Sequence, residues 1–277
     1  LFFPLLLARA VWYNEDRKEG AGMVKLEQKQ YDLIAPLFAG WEETMITSCL
    51  QGYHGTAYAD RVPFPLSAQI VVGDFCCLAG RPNLELAGHI PTGFGSLVML
   101  MIPRTTDWAG CIEQAQAGRF QKSLRFATRK NPGDFDRKIL HSLSKLPAPY
   151  TICPIDKTLY HVLPREEWSK DLCSQFASAE DYLRQGIGFV AMYGEKAVAG
   201  ASSYTVYRDG IEIEVDTHPQ HRRRGLAQAV SASLILECLR KGLYPSWDAA
   251  SETSLHLAQK LGYQPAGAYP VWKVKVP

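Results

Sequence analysis

Apolar and polar residues follow several different rhythms along the chain, and each rhythm predicts a different kind of element. Between Gln30 and Leu50 the residues Leu33, Ile34, Leu37, Phe38, Trp41 and Met45 recur at helical spacing, with Pro36 interrupting the run, so core-facing helices are predicted there. From Ser67 to Arg104 the pattern changes to short apolar runs separated by glycines, IVVGDFCCLAG, LELAG and GSLVMLMIPR, which predict strands. The stretch Trp108 to Leu146 returns to helical periodicity and is rich in Lys and Arg. Leu146-Pro147-Ala148-Pro149 ends it, because proline cannot continue a helix and disfavours one in the residue before it. That break is the expected domain boundary, which gives an amino-terminal α+β domain over residues 23–146 and a second domain over residues 150–277. Residues 1–22, ahead of Met23, are expected to be an extension outside both.

Beyond the break, Thr151 to Leu163 predicts a strand, and helical segments follow over Glu166 to Phe176 and Ser178 to Gln185. Phe189 to Tyr193 and Ala197 to Val206 read as two strands joined by the polar turn Gly194-Glu195-Lys196. After the next turn, Ile211 to Asp216 (IEIEVD) alternates strictly between apolar and acidic, the mark of a strand with one buried face. Thr217-His218-Pro219-Gln220-His221-Arg222-Arg223-Arg224-Gly225-Leu226-Ala227 then leads into a helix from Gln228 to Arg240. A strand, Pro245 to Ala250, and a helical segment, Ser251 to Tyr263, close the pattern.

The turn after the acidic strand carries the chemistry. A strand that runs through a glycine-containing turn into a helix aims several unpaired N–H groups and the positive end of the helix dipole at one point, which suits a pyrophosphate. Gly225 and Ala227 are small enough to let a ligand approach the backbone, and three arginines add positive charge. The alternative reading of Arg222-Arg223-Arg224 is a solvated basic turn or a nucleic-acid contact. The turn lacks the interleaved aromatics that such a contact would use.

Arg222-x-x-Gly225-x-Ala227 after an acidic strand resembles the acetyl-CoA signature of the GNAT superfamily of N-acetyltransferases, [QR]-x-x-G-x-[GA]. The segment that ends in Lys260-Leu261-Gly262-Tyr263 is similar to the closing K-x-G-[FY] block of that family. The resemblance covers residues 160–276, with its specific motifs between Ile211 and Tyr263. It implies a mixed central sheet flanked by helices, of α+β (α/β) class, whose fourth and fifth strands splay apart around the coenzyme.

By the same resemblance, backbone groups around Val215, Asp216 and Thr217 would hold the acyl carbonyl and pantetheine, while Arg222, Arg223, Arg224, Gly225, Leu226 and Ala227 would cradle the pyrophosphate. Ser251 and Ser254 would add contacts from the closing helix. Glu212 occupies about the position of a catalytic glutamate in several relatives, so it is the first expected base and Glu214 the second, with a solvated acidic face as the plain alternative. Two departures stand out. Ala258 replaces a tyrosine that many relatives use to protonate the leaving thiolate, and Ser251 replaces an asparagine; Tyr263, Tyr244 or water could serve instead of the tyrosine.

The expected activity is therefore direct transfer of an acetyl group from acetyl-CoA to a primary amine, with a catalytically silent acyl-CoA-binding module as the rival. Phe75 to Gly88 loosely echoes Phe189 to Gly200, which suggests that the first domain is a degenerate GNAT-like unit walling the acceptor cleft. The composition, 47% hydrophobic and 21% charged over 277 residues, suits a globular protein with a sizeable core. A net charge of +2 gives no field that would draw the chain onto nucleic acid or a membrane. The seven cysteines are scattered without zinc-site spacing, so they read as reduced thiols of a cytoplasmic protein, and no metal is expected. The acidic strand favours a cationic small molecule as acceptor, with a homodimer left open.

Overall fold

The computed structural model describes residues 22–277, so the expected extension over residues 1–22 lies, but for Gly22, outside the described residues. The amino-terminal unit runs β1 (Val24–Lys25), α1 (Ala35–Phe38), α2 (Thr44–Leu50), β2 (Thr56–Ala59), β3 (Ser67–Val72), β4 (Phe75–Gly80), α3 (Leu84–Gly88), β5 (Val98–Pro103), α4 (Thr106–Ala115) and β6 (Phe120–Thr128). After α5 (Arg137–Leu143) the same order recurs as β7 (Tyr150–Pro154), α6 (Lys157–Val162), α7 (Ala179–Gln185), β8 (Gly188–Tyr193), β9 (Lys196–Tyr207), β10 (Gly210–Thr217), α8 (Leu226–Lys241), β11 (Tyr244–Ser246), α9 (Glu252–Lys260) and β12 (Pro265–Lys275).

The pairing repeats too. β1 to β4 are joined antiparallel and β4 pairs β5 in parallel; β7 to β10 are likewise antiparallel and β10 pairs β11 in parallel. The second unit keeps a five-stranded sheet, β11-β10-β9-β8-β7, but its last strand leaves it. β12 lies between β5 and β6, antiparallel to both, in a seven-stranded sheet of order β1-β2-β3-β4-β5-β12-β6. Residues from both sides of Pro147 and Pro149 therefore build the first sheet.

Burial explains why these segments form strands. On the first sheet Ile70, Val72, Cys77, Ala79, Leu100 and Ile102 pack with Ile34, Phe38 and Met45, whereas Val71, Cys76, Leu78, Met99 and Met101 pack with Leu86, Trp108 and Ile112. Successive side chains point to opposite faces, so a sheet covered on both sides reads as an unbroken apolar run. In the second unit Leu226, Val230, Leu234 and Cys238 recur every fourth residue of α8 and are buried in one core with Val190, Ala199, Ala201 and Ile211.

Five expected elements differ. The helix expected over Glu166 to Phe176 is a run of turns in which only Lys170–Cys173 winds, as a 3-10 helix, and the strand expected over Pro245 to Ala250 ends at Ser246. Leu84–Gly88 is a helix, not a strand, because Asn83 caps it by accepting the Leu86 N–H at 3.0 Å. The echo between residues 75–88 and 189–200 thus compares a strand and helix with a hairpin, and the true repeat is in the order of elements. Phe120–Thr128 is a strand inside a stretch expected to be helical, with β12, about as far off in sequence as a partner can be, as its neighbour. The expected strand Thr151 to Leu163 stops at Pro154, and Asp156 caps α6 by accepting the Leu159 N–H at 2.8 Å.

Candidate active site

Two parallel strands that part company form the heart of the site. β10 and β11 pair only as Gly210 with Tyr244, Ile211 with Pro245 and Glu212 with Ser246. β10 then continues to Thr217 on β9 alone, so past Glu212 its other edge faces no strand. The equivalent strands of the first unit stay together: β4 and β5 pair from Phe75 with Leu100 to Leu78 with Pro103, and the Trp108 indole closes their far end by donating to the Gly80 carbonyl at 3.0 Å.

The residues after β11 are taken up by β6. Phe126 and Ala249 exchange backbone hydrogen bonds of 2.9 Å, and Thr128 Oγ1 donates to the Trp247 carbonyl at 2.7 Å. Arg125 donates to Asp248 twice, from Nε to Oδ1 at 2.6 Å and from a terminal nitrogen to the carbonyl at 3.2 Å, and the Tyr269 hydroxyl donates to Oδ2. Glu212 fills the fork. Its Oε1 accepts the Asp248 N–H at 2.7 Å and its Oε2 accepts the Thr44 hydroxyl at 2.5 Å, so a side chain replaces the next rung of the ladder.

Past the free edge of β10 the chain turns toward α8. His218 N–H is fixed on the Val198 carbonyl at 2.9 Å, and Arg223 (φ 62°) and Gly225 (φ 77°) both adopt the left-handed conformation that reverses the chain. Gly225 offers no side-chain cap and the first turn of α8 holds no acidic residue, so the opening N–H groups of this helix are left for another partner. Arg222 donates from Nε to the Thr217 carbonyl at 3.1 Å, and Arg224 donates to the Tyr150 hydroxyl at 2.8 Å; these two and Arg223 are all exposed. Leu226 turns its side chain into the core, which leaves only its backbone for binding. Asp216 accepts its neighbour Thr217 N–H at 2.6 Å.

A cleft of about 860 Å³ opens from the fork and is walled by both units, with Asp74, Arg125, Asp171, Tyr204, Glu214 and Ser254 among its lining. The register of β9 on β10 slips by one between Glu212 and Ile213, which leaves Tyr204 without a partner on β10. Its hydroxyl donates to Asp74 Oδ1 at 2.8 Å and accepts the Asp74 N–H at 3.2 Å, tying the two units together across the cleft.

The two glutamates expected as bases both line this cleft but differ in their surroundings. Glu212 is only 3% exposed, and both of its oxygens are occupied. Burial pushes its carboxyl up, and the Asp248 charge adds to this while the Thr44 hydroxyl opposes it. Glu214 is pushed up to about 8, first by burial and then by the charges of Asp171, Asp216 and Asp74. Asp74 and Asp171 are themselves raised, in each case chiefly by burial.

The expected stand-ins for the absent tyrosine are committed elsewhere. The Tyr263 hydroxyl is buried on the Pro245 carbonyl at 2.6 Å, and that of Tyr244 donates to the Arg129 carbonyl at 2.7 Å. Ala258 itself is 0% exposed, packed in the core. Ser251 caps α9 by accepting the Ser254 N–H at 3.2 Å, and Ser254 Oγ accepts the Trp247 indole N–H at 3.1 Å.

Sequence reasoning missed Thr44, Asp74, Arg125, Asp171, Tyr204 and Asp248. The only local signal was the charge of Asp248 amid the apolar Trp247, Ala249 and Ala250. Among the described residues no group of three or more His, Cys, Asp or Glu side chains could hold a metal ion, and no helix is long and apolar enough to cross a membrane.

Comparison with known proteins bears directly on this arrangement. The sequence profile of the GNAT acetyltransferases matches residues 35–272. The uncharacterised N-acetyltransferase YdfB of Bacillus subtilis is 25% identical over 265 residues, which span 90% of this chain and 97% of that protein. The crystal structure of a GCN5-related N-acetyltransferase-like protein from Streptococcus suis is 40% identical, with a TM-score of 0.84 over 89% of this chain and 99% of that one. A tandem GNAT protein from the clavulanic acid biosynthesis pathway shares the fold at 12% identity, with a TM-score of 0.54 over 92% of this chain and 99% of its own.

Proposed function

This chain belongs to the GNAT acetyltransferase family and is an acyltransferase, and we propose that it transfers the acetyl group of acetyl-CoA directly to a primary amine within a ternary complex. The observation that carries this reading is the fork between β10 and β11, which leads from the uncapped start of α8 to the acidic cleft. The residues present fit the donor. The N–H groups from Gly225 to Ala227, with Arg222, Arg223 and Arg224, would meet the pyrophosphate, and the free edge of β10 around Val215, Asp216 and Thr217 would pair with the amides of the pantetheine arm. Acetyl-CoA supplies the acyl thioester.

The acceptor amine arrives as an ammonium ion and must lose a proton before it can attack. Glu214 takes that proton: it faces the cleft, and a carboxyl near 8 is matched to work at neutral pH. The amine nitrogen then bonds to the acetyl carbon as the carbon–sulfur bond breaks. A thiol of pKa about 8.5 is a tolerable leaving group. The Ser254 hydroxyl, one helical turn before Ala258, lines the cleft; it passes its proton to the departing sulfur and takes up in return the second proton that the nitrogen sheds as the amide forms. Glu212 acts instead as the wedge of the fork.

None of the seven free cysteines lines the cleft, which supports transfer without a covalent enzyme intermediate. Their free state also suits a reducing cytoplasm. Asp74 and Asp171 beside Glu214 favour a small cationic acceptor. The buried Ala258 is the one observation that favours the rival, a module that binds acyl-CoA without turnover.

Isothermal titration with acetyl-CoA tests the reading, with Gly225→Asp as control. An aspartate there strains a left-handed position and places a carboxylate against the phosphates, so binding should disappear. Failure of the unaltered protein to bind acetyl-CoA would refute the donor assignment, and failure to release free thiol with any of a panel of cationic amines would favour the rival.

A further inference from the structure

The fork is held open from outside its own sheet. Two parallel strands in register tend to continue their ladder, and β4 with β5 shows that in this same chain they do so when nothing intervenes. After Ser246 the ladder to β10 stops, and the next three residues are each held from the amino-terminal unit, Trp247 by Thr128, Asp248 by Arg125 and Ala249 by Phe126, with Glu212 on the Asp248 N–H, Tyr269 on its carboxylate and Ser254 on the Trp247 indole. The pair at the centre of this grip is buried, with side-chain exposures of 13% for Arg125 and 8% for Asp248. The Arg125 guanidinium also lies 4.7 Å from the Phe75 ring centre, which fixes its plane.

Resting on the acetyl-CoA reading above, we infer that Arg125 is a positioning residue for the acyl donor: by holding Asp248 on β6, it keeps the fork wide enough for the pantetheine arm. The amino-terminal unit, which has no fork of its own, thus sets the aperture of the other. Asp248 presents its N–H to Glu212 only while its side chain is held by Arg125 and Tyr269. Without Arg125 the buried carboxylate keeps the Tyr269 hydroxyl but loses its ion-pair partner, so the segment shifts and the free edge of β10 is lost to the donor.

The grip acts on the pantetheine half of the coenzyme and not on the pyrophosphate loop, which stands on α8. Titration of Arg125→Met and Thr128→Val with two ligands separates these halves: acetyl-CoA, and adenosine 3′-phosphate 5′-diphosphate, which carries the nucleotide and pyrophosphate without the arm. Arg125→Met should weaken acetyl-CoA about tenfold or more while changing the fragment by less than about twofold. Thr128→Val removes one hydroxyl donor without stranding a charge, so it remains folded and should weaken acetyl-CoA alone by about threefold. Equal weakening of both ligands would mean general damage, and unchanged acetyl-CoA affinity in both variants would mean that the fork needs no grip; either result overturns the inference. No acetyl-CoA binding by the unaltered protein would instead remove the donor reading and this inference with it.

Discussion

Glu214→Gln should make the protein more stable in alkali and less active at once. A carboxyl whose folded-state pKa lies above its unfolded value holds a proton more tightly when folded. Its contribution to stability is therefore fully present below the ordinary carboxylate value and is lost as pH rises to the folded one. For Glu214 that window runs from 4.5 to about 8, and at 1.36 kcal/mol per pH unit the ceiling on the loss is about 5 kcal/mol. The side chain faces an open cleft where water relaxes around the charge, so about 2 kcal/mol is the expected share. Glutamine keeps the shape and cannot ionise. Its melting temperature should match that of the unaltered protein near pH 4.5 and exceed it at pH 9 by roughly 4–8 °C. Glu43, also pushed up to about 8, is common to both proteins and cancels. In turnover assays the rise of activity through pH 8 should vanish in Glu214→Gln. Two acceptors of different ammonium pKa distinguish this limb from the titration of the substrate. A melting difference that is the same at pH 4.5 and pH 9 would refute the argument, because it would mean that Glu214 is ionised throughout.

Three further substitutions probe the frame of the site. Thr44→Val strands Glu212 Oε2 in the core and should cost about 1–3 kcal/mol by urea titration, whereas a neutral result would mean that water replaces the hydroxyl. Trp108→Ala empties a 0% exposed site and unpairs the Gly80 carbonyl, and a loss of about 3–5 kcal/mol is expected in the same assay. Ala258→Tyr, which restores the family's usual residue, should not raise turnover; the side chain would overpack a 0% exposed position and cost about 1–3 kcal/mol, and a stable, faster enzyme would show that α9 can move.

The chemistry-bearing turn was readable because its signals are local. Alternation in IEIEVD, the glycine at the start of α8 and three arginines all fall within a short span, and the strand, turn and helix lie where that span predicts. Phe120–Thr128 was not readable as a strand, because Gln121, Lys122 and Arg125 break the apolar alternation and its partner β12 is the last strand of the second unit. Leu84–Gly88 failed for a different reason: a short apolar run between glycines reads as a strand, whereas its Leu, Glu and Ala favour helix and the asparagine ahead of it supplies the cap. For the site, the motif points to the turn before α8 as the donor end and leaves the two acids undistinguished. Glu212 and Glu214 are equivalent in the pattern, and only Thr44, 168 residues earlier, and the Asp248 N–H separate a wedge from a free carboxyl. Asp74 falls inside the run IVVGDFCCLAG, and nothing near it in sequence announces Tyr204.

The placement of β12 between β5 and β6 has a consequence for synthesis on the ribosome. β6 is complete once Thr128 has emerged, yet the strand that joins it to β5 is not made until residues 265–275. At about 5–20 residues per second, two strand edges wait for roughly seven to thirty seconds with open N–H and C=O groups. Nascent amino-terminal units on neighbouring ribosomes present the same vacant slot, so a crowded polysome should be this protein's most aggregation-prone moment, and slower translation should lengthen it.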